Sequence, residues 1–176
     1  MAKLSVARAI IYGTLTVAFL DGLYAVIALR MRGVGADRVF QGVAAGLLGR
    51  DAFRGGLTTA GLGLALHVFI ALVVVVVYYT ASARIGVLRS RPLVCGPVYG
   101  VLVYAVMNLI VIPHSAGGGG KYSFWQVLGG LMIHVVGVGL PAAWFAAAPR
   151  RAPQPTSPSL PTALADAGSR TRAPVR

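Results

Sequence analysis

Glutamate is absent from this 176-residue chain, and its acidic residues number only four, all aspartate. The lone Cys95 excludes an internal disulfide and any multi-cysteine metal or iron–sulfur site, and is expected to be a small buried hydrophobe in a helix. Charged residues make up 11% of the chain, less than half the share with which a soluble domain wets its surface. A soluble enzyme is excluded. No Gly-x-Ser-x-Gly motif occurs, and His114-Ser115 stand together only in a connection, so hydrolytic chemistry has no nucleophile motif. The nearest approach to a phosphate loop, Gly117 to Gly120 before Lys121, has Tyr122 where Ser or Thr must follow the lysine and Ser115 in place of the leading glycine. It reads as a flexible turn. Neither catalysis nor a bound cofactor is expected.

What the chain has instead is apolar length. Hydrophobic residues make up 57% of it and mean hydropathy is +0.77. They fall into four runs, 9–29, 57–79, 93–113 and 124–146, each of about twenty residues, the helix length that crosses a hydrocarbon core of about 30 Å. Val73 to Val77 would suit a strand in water, but a run this long in lipid must satisfy its backbone internally, so helix is expected. Lys3 and Arg8 resemble the start of a signal peptide, yet Asp21 interrupts the run and no Ala-x-Ala-like cleavage site follows. A retained first span is expected. The expected fold class is all-α: residues 1–148 form a four-helix transmembrane bundle of two hairpins. Val39, Phe40, Val43, Leu47 and Leu48 recur at helical spacing after the first span, predicting a short interfacial helix there. From Pro149 onward six of the ten prolines gather without aromatics, the composition of a disordered tail, 149–176.

The net charge of +12 could suggest nucleic acid, but the basic residues bracket the apolar runs rather than striping a folded face. The partner they suit is the lipid bilayer. Omitting the far tail, seven basic residues lie on the side of both termini and six on the other, which places both termini in the cytoplasm. Four spans are few for a complete transport path, so a homodimer is an expected assembly.

An internal repeat supports the hairpins. Tyr12-Gly13, Leu15, Ala18 and Asp21 align with Tyr99-Gly100, Leu102, Ala105 and Asn108; Gly63, Leu64, His67 and Val68 align with Gly130, Leu131, His134 and Val135. Two helices per unit would give the copies one orientation and a pseudo-two-fold axis along the membrane normal. Asp21, His67 and His134 then fall within about 3 Å of the midplane, and Asn108 joins them if the third helix runs further. An exposed Asp at that depth costs on the order of 3 kcal/mol, so these side chains are expected to face inward. Small-residue stripes agree: Thr14, Ala18 and Ala25 flank Asp21, Ala60, Gly63 and Ala71 flank His67, and Gly130 and Gly137 flank His134. Tyr104 and Asn108 share a face one turn apart.

Three readings of the cluster stand open. Asp21, His67, Asn108, His134 and Tyr104 bind a proton, ion or small polar ligand, because intramembrane ionisable residues are functional by default and imidazole titrates near neutrality. Alternatively they only fix helix packing. Metal binding is the third, weakened by the absence of a second acid in the spans and of His-x-x-x-His spacing, and no metal is expected.

The stretch Val39-Phe40-Gln41-Gly42-Val43-Ala44-Ala45-Gly46-Leu47-Leu48-Gly49-Arg50, with Gly55-Gly56, Thr59-Ala60 and Leu62 to His67, resembles a family of small uncharacterised bacterial inner-membrane proteins. Tyr99-Gly100, Val103-Tyr104, Met107-Asn108 and Pro113 fit the same likeness, and a more distant similarity is to YagU-like membrane proteins of unknown function. The resemblance covers most of residues 10–145 and implies four spans in a bacterial inner membrane, without an activity. The glycine pairs Gly42–Gly46 and Gly96–Gly100 suit close helix contacts. In a Cys95→Ala background, Ser115→Cys should react with an impermeant maleimide in intact cells, and Ser157→Cys in the tail only after permeabilisation. A tail labelled from outside reverses the orientation.

Overall fold

The computed structural model describes residues 5–120 and 122–148, and among these there is helix but no strand. α1 (Val6–Arg30) starts at Ser5, whose Oγ accepts the Arg8 N–H at 3.3 Å. α2 (Ala36–Leu48) and a 3-10 segment (Gly49–Arg54) lead into α3 (Gly56–Arg84), followed by the short α4 (Val87–Ser90). Glycines with positive φ, Gly49 at 60° and Gly56 at 58°, turn the chain at both ends of the 3-10 segment. α5 (Pro92–Val106) continues as a π-helical stretch, Met107–Val111. α6 (Phe124–Ile133) passes through a second π-helical stretch, His134–Gly139, into α7 (Leu140–Ala147). Among the described residues four helices are long and apolar enough to cross a membrane: Val6–Arg30, Gly56–Arg84, Pro92–Val111 and Phe124–Ala147. They match the four runs read from sequence, the second extending to Arg84 and the third stopping short of Pro113. The proline-rich segment from 149 lies outside the described residues.

The interior is a seam of small side chains. Ala9, Ala18, Ala71, Ala142, Ala143 and Ala146 pack with Val17, Val75 and Tyr78 in one buried cluster. Where no side chain intervenes, backbones meet. A Cβ on Gly100 would fall on the His134 carbonyl, and one on Gly139 would fall on the Gly96 carbonyl. Small residues let helices approach this closely, and dispersion and polar contacts then hold them. The Gly96–Gly100 pair therefore does what its spacing suggested. The Gly42–Gly46 pair does not: Gly42 faces open space and Gly46 meets only the Ser115 Cβ at 3.8 Å. The glycine that admits α2 stands on α3, where a Cβ on Gly63 would strike the Phe40 carbonyl.

α2 is a helix where one was predicted, and its buried face is not its most apolar one. Val39, Gln41, Ala44 and Ala45 are buried, whereas Leu47 and Leu48 are exposed. Gln41 is 2% exposed because its Nε2 donates to the Gly56 carbonyl at 2.9 Å, tying α2 to the first residue of α3. The glycine-rich connection is docked rather than loose at its start. Ala116 N–H donates to the Gly46 carbonyl at 3.0 Å, and Gly117 lies on the Ala45 carbonyl. That bond puts the 30–56 and 112–120 connections at one end of the bundle.

Both π-helical stretches have a cause in the sequence. Proline removes the N–H that its i−4 carbonyl would accept and crowds that carbonyl. For Pro113 and Pro141 those carbonyls belong to Leu109 and Gly137, each inside a π-helical stretch. The ladder widens there to i→i+5 bonds, Ile112 N–H to Met107 O at 2.8 Å and Leu140 N–H to Val135 O. Gly100→Ala should cost about 1–3 kcal/mol of unfolding free energy, since its methyl meets backbone that cannot rotate away. Gly42→Ala should be neutral or gain up to about 1 kcal/mol from helix propensity. Reversible unfolding in detergent ranks the two; the opposite ranking refutes the close contact.

Candidate functional site

α1 presents two neighbouring sectors to the bundle. At about 100° per residue, Ala18 and Gly22 lie close together around the helix and Asp21 is turned to one side of them. His67 of α3 occupies the first sector. Its Nε2 donates to the Ala18 carbonyl at 3.0 Å, a Cβ on Gly22 would lie 3.1 Å from the same nitrogen, and the Phe40 ring stands edge-on at 6.2 Å. The imidazole is wedged between α1, α2 and α3. A carbonyl can only accept, so Nε2 carries the proton.

His134 occupies the other sector. Its Nδ1 donates to the Gly130 carbonyl one turn back at 2.8 Å, and Asp21 Oδ1 stands 3.9 Å from the same nitrogen. That separation is an electrostatic contact and not a hydrogen bond. Both side chains are largely buried, His134 to 17% exposure and Asp21 to 25%. Among the described residues Asp21 receives no hydrogen bond, and Nε2 of His134 has no partner either. With Nδ1 protonated, that Nε2 offers a lone pair to a proton or donor.

Tyr104 joins this pair to an opening. Its ring meets His134 edge-on at 5.3 Å, and its carbonyl accepts from Asn108 Nδ2 at 2.9 Å. Tyr104 and Asn108 line a cavity of about 390 Å³ with Val127, Gly119, Gly120 and Tyr122. Asn108 thus does not join the layer of the other three. Gly100 lies against His134, while Asn108 shares the cavity with Val127, about two turns nearer the 112–120 connection. The glycine contact sets the register of α5 against the fourth long helix, and it overrides the depth that the repeat alignment assigned. The third helix also ends at Val111 instead of running further.

Asp21 and His134 are therefore brought together with Tyr104, His67 sits at the same level on the other side of α1, and Asn108 is displaced along the cavity. No three of His, Cys, Asp or Glu among the described residues converge closely enough to hold a metal ion. Gly130 supplies the carbonyl that fixes the His134 ring, a role its reading as a mere spacer missed. Tyr122 of the cavity mouth carries no sequence signal. The π-helical stretches that begin at His134 and Met107 were foreshadowed by Pro141 and Pro113. π-helical turns are frequent at functional sites; here one lines the cavity through Asn108 and Leu109, and the other begins at His134. No family model, curated protein or solved structure matches the chain.

His67→Leu should lower stability by about 0.6 kcal/mol and at most about 1.7, the range of interhelical hydrogen bonds in membranes, because the Ala18 carbonyl keeps its helical partner. Equilibrium unfolding in bicelles measures it. A loss of several kcal/mol would show that His67 supports far more than one bond.

Proposed function

We propose that this chain is a multi-pass protein of the bacterial inner membrane, with both termini cytoplasmic, whose Asp21–His134 pair binds a proton or a small polar ligand that enters past Tyr104 and Asn108. The membrane reading is supported by the outward faces of the long helices, where Phe19, Leu109 and Trp125 stand 65%, 72% and 75% exposed. Helices apolar on their outward faces as well as at the seam suit lipid and not water.

One observation carries the site: a carboxylate in a long apolar helix with no hydrogen-bond donor, 3.9 Å from an imidazole nitrogen already committed to Gly130. Such a group in hydrocarbon needs a proton, a cation or a donor-bearing ligand. A proton taken at Nε2 of His134 would place a positive ring beside the Asp21 carboxylate, and the pair would share the charge change. The 390 Å³ cavity extends from the end that holds the 112–120 connection as far as Tyr104, whose ring meets His134. No bond-making chemistry is assigned, and the reading is non-enzymatic.

For His67 the packing role is the better one, since it is wedged against Ala18 and Gly22 and its bond reaches another helix, whereas Asn108 donates only to the carbonyl of its own helix and lines the cavity. The site is thus narrower than four converging polar groups.

Infrared difference spectra of the reconstituted protein test this, taken from about pH 5 to about pH 8, where imidazoles change charge. A carboxyl band should vanish in Asp21→Asn, move in His134→Gln and persist in His67→Leu. A spectrum without a carboxyl response, or a response untouched by Asp21→Asn, refutes the site. Loss of fold in both Asp21→Asn and His134→Gln, with no such band in the parent, would establish the packing role.

A further inference from the structure

The end of the bundle formed by the start of α1, the end of α3 and α4 carries Arg8, Arg84, Arg89 and Arg91. No acidic residue among the described residues lies there: Asp21 is within α1, and Asp37 and Asp51 belong to the connection at the opposite end. Arg89 is held in place. Its Nε donates to Ser82 Oγ at 3.2 Å, and Ser82, 1% exposed, is fixed in turn by donating to the Tyr79 carbonyl at 2.7 Å. Its Nη2 is covered and finds no acceptor. A guanidinium offers five donors in a rigid fork, and the described residues supply neither the counter-charge nor the full set of acceptors.

An apolar groove of about 310 Å³ opens beside this end, between α5 and the fourth long helix. Pro92 and Leu93 form one wall and Val136, Leu140, Pro141 and Trp144 the other. Arg91 immediately precedes Pro92, and α4, which holds Arg89, packs on α7, which holds Trp144. From Trp144 to Val136 the groove follows the helix for about 12 Å, so it runs from the arginines toward the middle of the bundle. An apolar trough headed by unpaired guanidinium groups is complementary to one kind of molecule, a chain of methylenes with a phosphate at its end.

We propose that Arg89 and Arg91 hold the phosphate of one anionic phospholipid whose acyl chain lies in the groove between α5 and α7. The proposal rests on the membrane reading above and is independent of the Asp21–His134 site. A zwitterionic lipid brings its own cation into a field of four arginines, which disfavours it. Free phosphate offers nothing to the groove.

The two tryptophans make this testable, because Trp144 lines the groove and Trp125 belongs to the opposite end of the same helix. In a Trp125→Phe protein reconstituted into vesicles, Trp144 fluorescence is quenched with phosphatidylglycerol or phosphatidylcholine brominated on the acyl chain. Phosphatidylglycerol should associate more strongly, by about five-fold for each arginine that pairs with it. The double substitution Arg89→Gln/Arg91→Gln should abolish the preference while leaving quenching by phosphatidylcholine intact, which shows that the protein is still inserted. Arg30→Gln/Arg32→Gln at the other end should keep the preference, and excess inorganic phosphate should not displace the lipid. Equal quenching by both lipids overturns the proposal, as does a preference that survives Arg89→Gln/Arg91→Gln, that is lost equally with Arg30→Gln/Arg32→Gln, or that phosphate abolishes. Absence of quenching by either lipid overturns the membrane reading with it.

Discussion

Backbone meeting backbone at Gly96, Gly100 and Gly139 is the contact on which the rest of this arrangement depends. With a carbonyl on each side and no side chain between, α5 and the fourth long helix can slide very little without collision. That fixed register puts Gly100 against His134, which swings the imidazole toward Tyr104 and Asp21 and leaves Asn108 beside Val127. Gly63 does the same for α2, letting the Phe40 carbonyl come down on α3 and bringing the Phe40 ring to His67. Where association cannot draw on water-driven burial, such close approach and the polar contacts it permits are the forces available.

The helices were legible because an apolar run of about twenty residues has few other uses. Their inward stripes were legible too, since small and polar residues recurring at helical spacing have to face away from lipid. Asp21, His67 and His134 came out at one level because depth can be counted from the ends of a run. Asn108 did not, because aligning two copies of a sequence says where residues correspond and not how far one helix slides along another. Gly100 and Gly139 decide that, and spacing marked Gly100 as a close-contact glycine without saying which carbonyl it would meet. The face of α2 that meets α3 was not legible in the same way. Hydrophobic periodicity marks Leu47 and Leu48, which stay exposed, whereas Gln41 is buried where its Nε2 finds one specific carbonyl, that of Gly56.

The two prolines near the ends of the third and fourth long helices show how a local defect becomes architecture. Each removes one N–H, and each time the helix accommodates the loss by widening to i→i+5 bonds over the preceding turn. A widened turn rotates every later side chain relative to an unbroken helix. His134 opens one such stretch and Asn108 lies near the start of the other, so the residues that follow them, not these two side chains, are the ones re-aimed by the prolines.

His67 and His134 make the same point about chemistry. They stand at one level on either side of α1, and each spends one ring nitrogen on a backbone carbonyl. For His67 that carbonyl belongs to another helix, so the bond crosses the seam and the ring serves as a wedge against Ala18 and Gly22. For His134 the carbonyl is Gly130, one turn back in its own helix, so the bond joins nothing across the seam and serves to aim the ring. The ring aimed in this way has a carboxylate at 3.9 Å and meets Tyr104, which lines the cavity. Packing accounts for the bond that His67 makes to Ala18. What sets the second histidine apart is the carboxylate beside it, and an apolar helix carrying that carboxylate without a hydrogen-bond donor is the ground on which the proposed proton or ligand site rests.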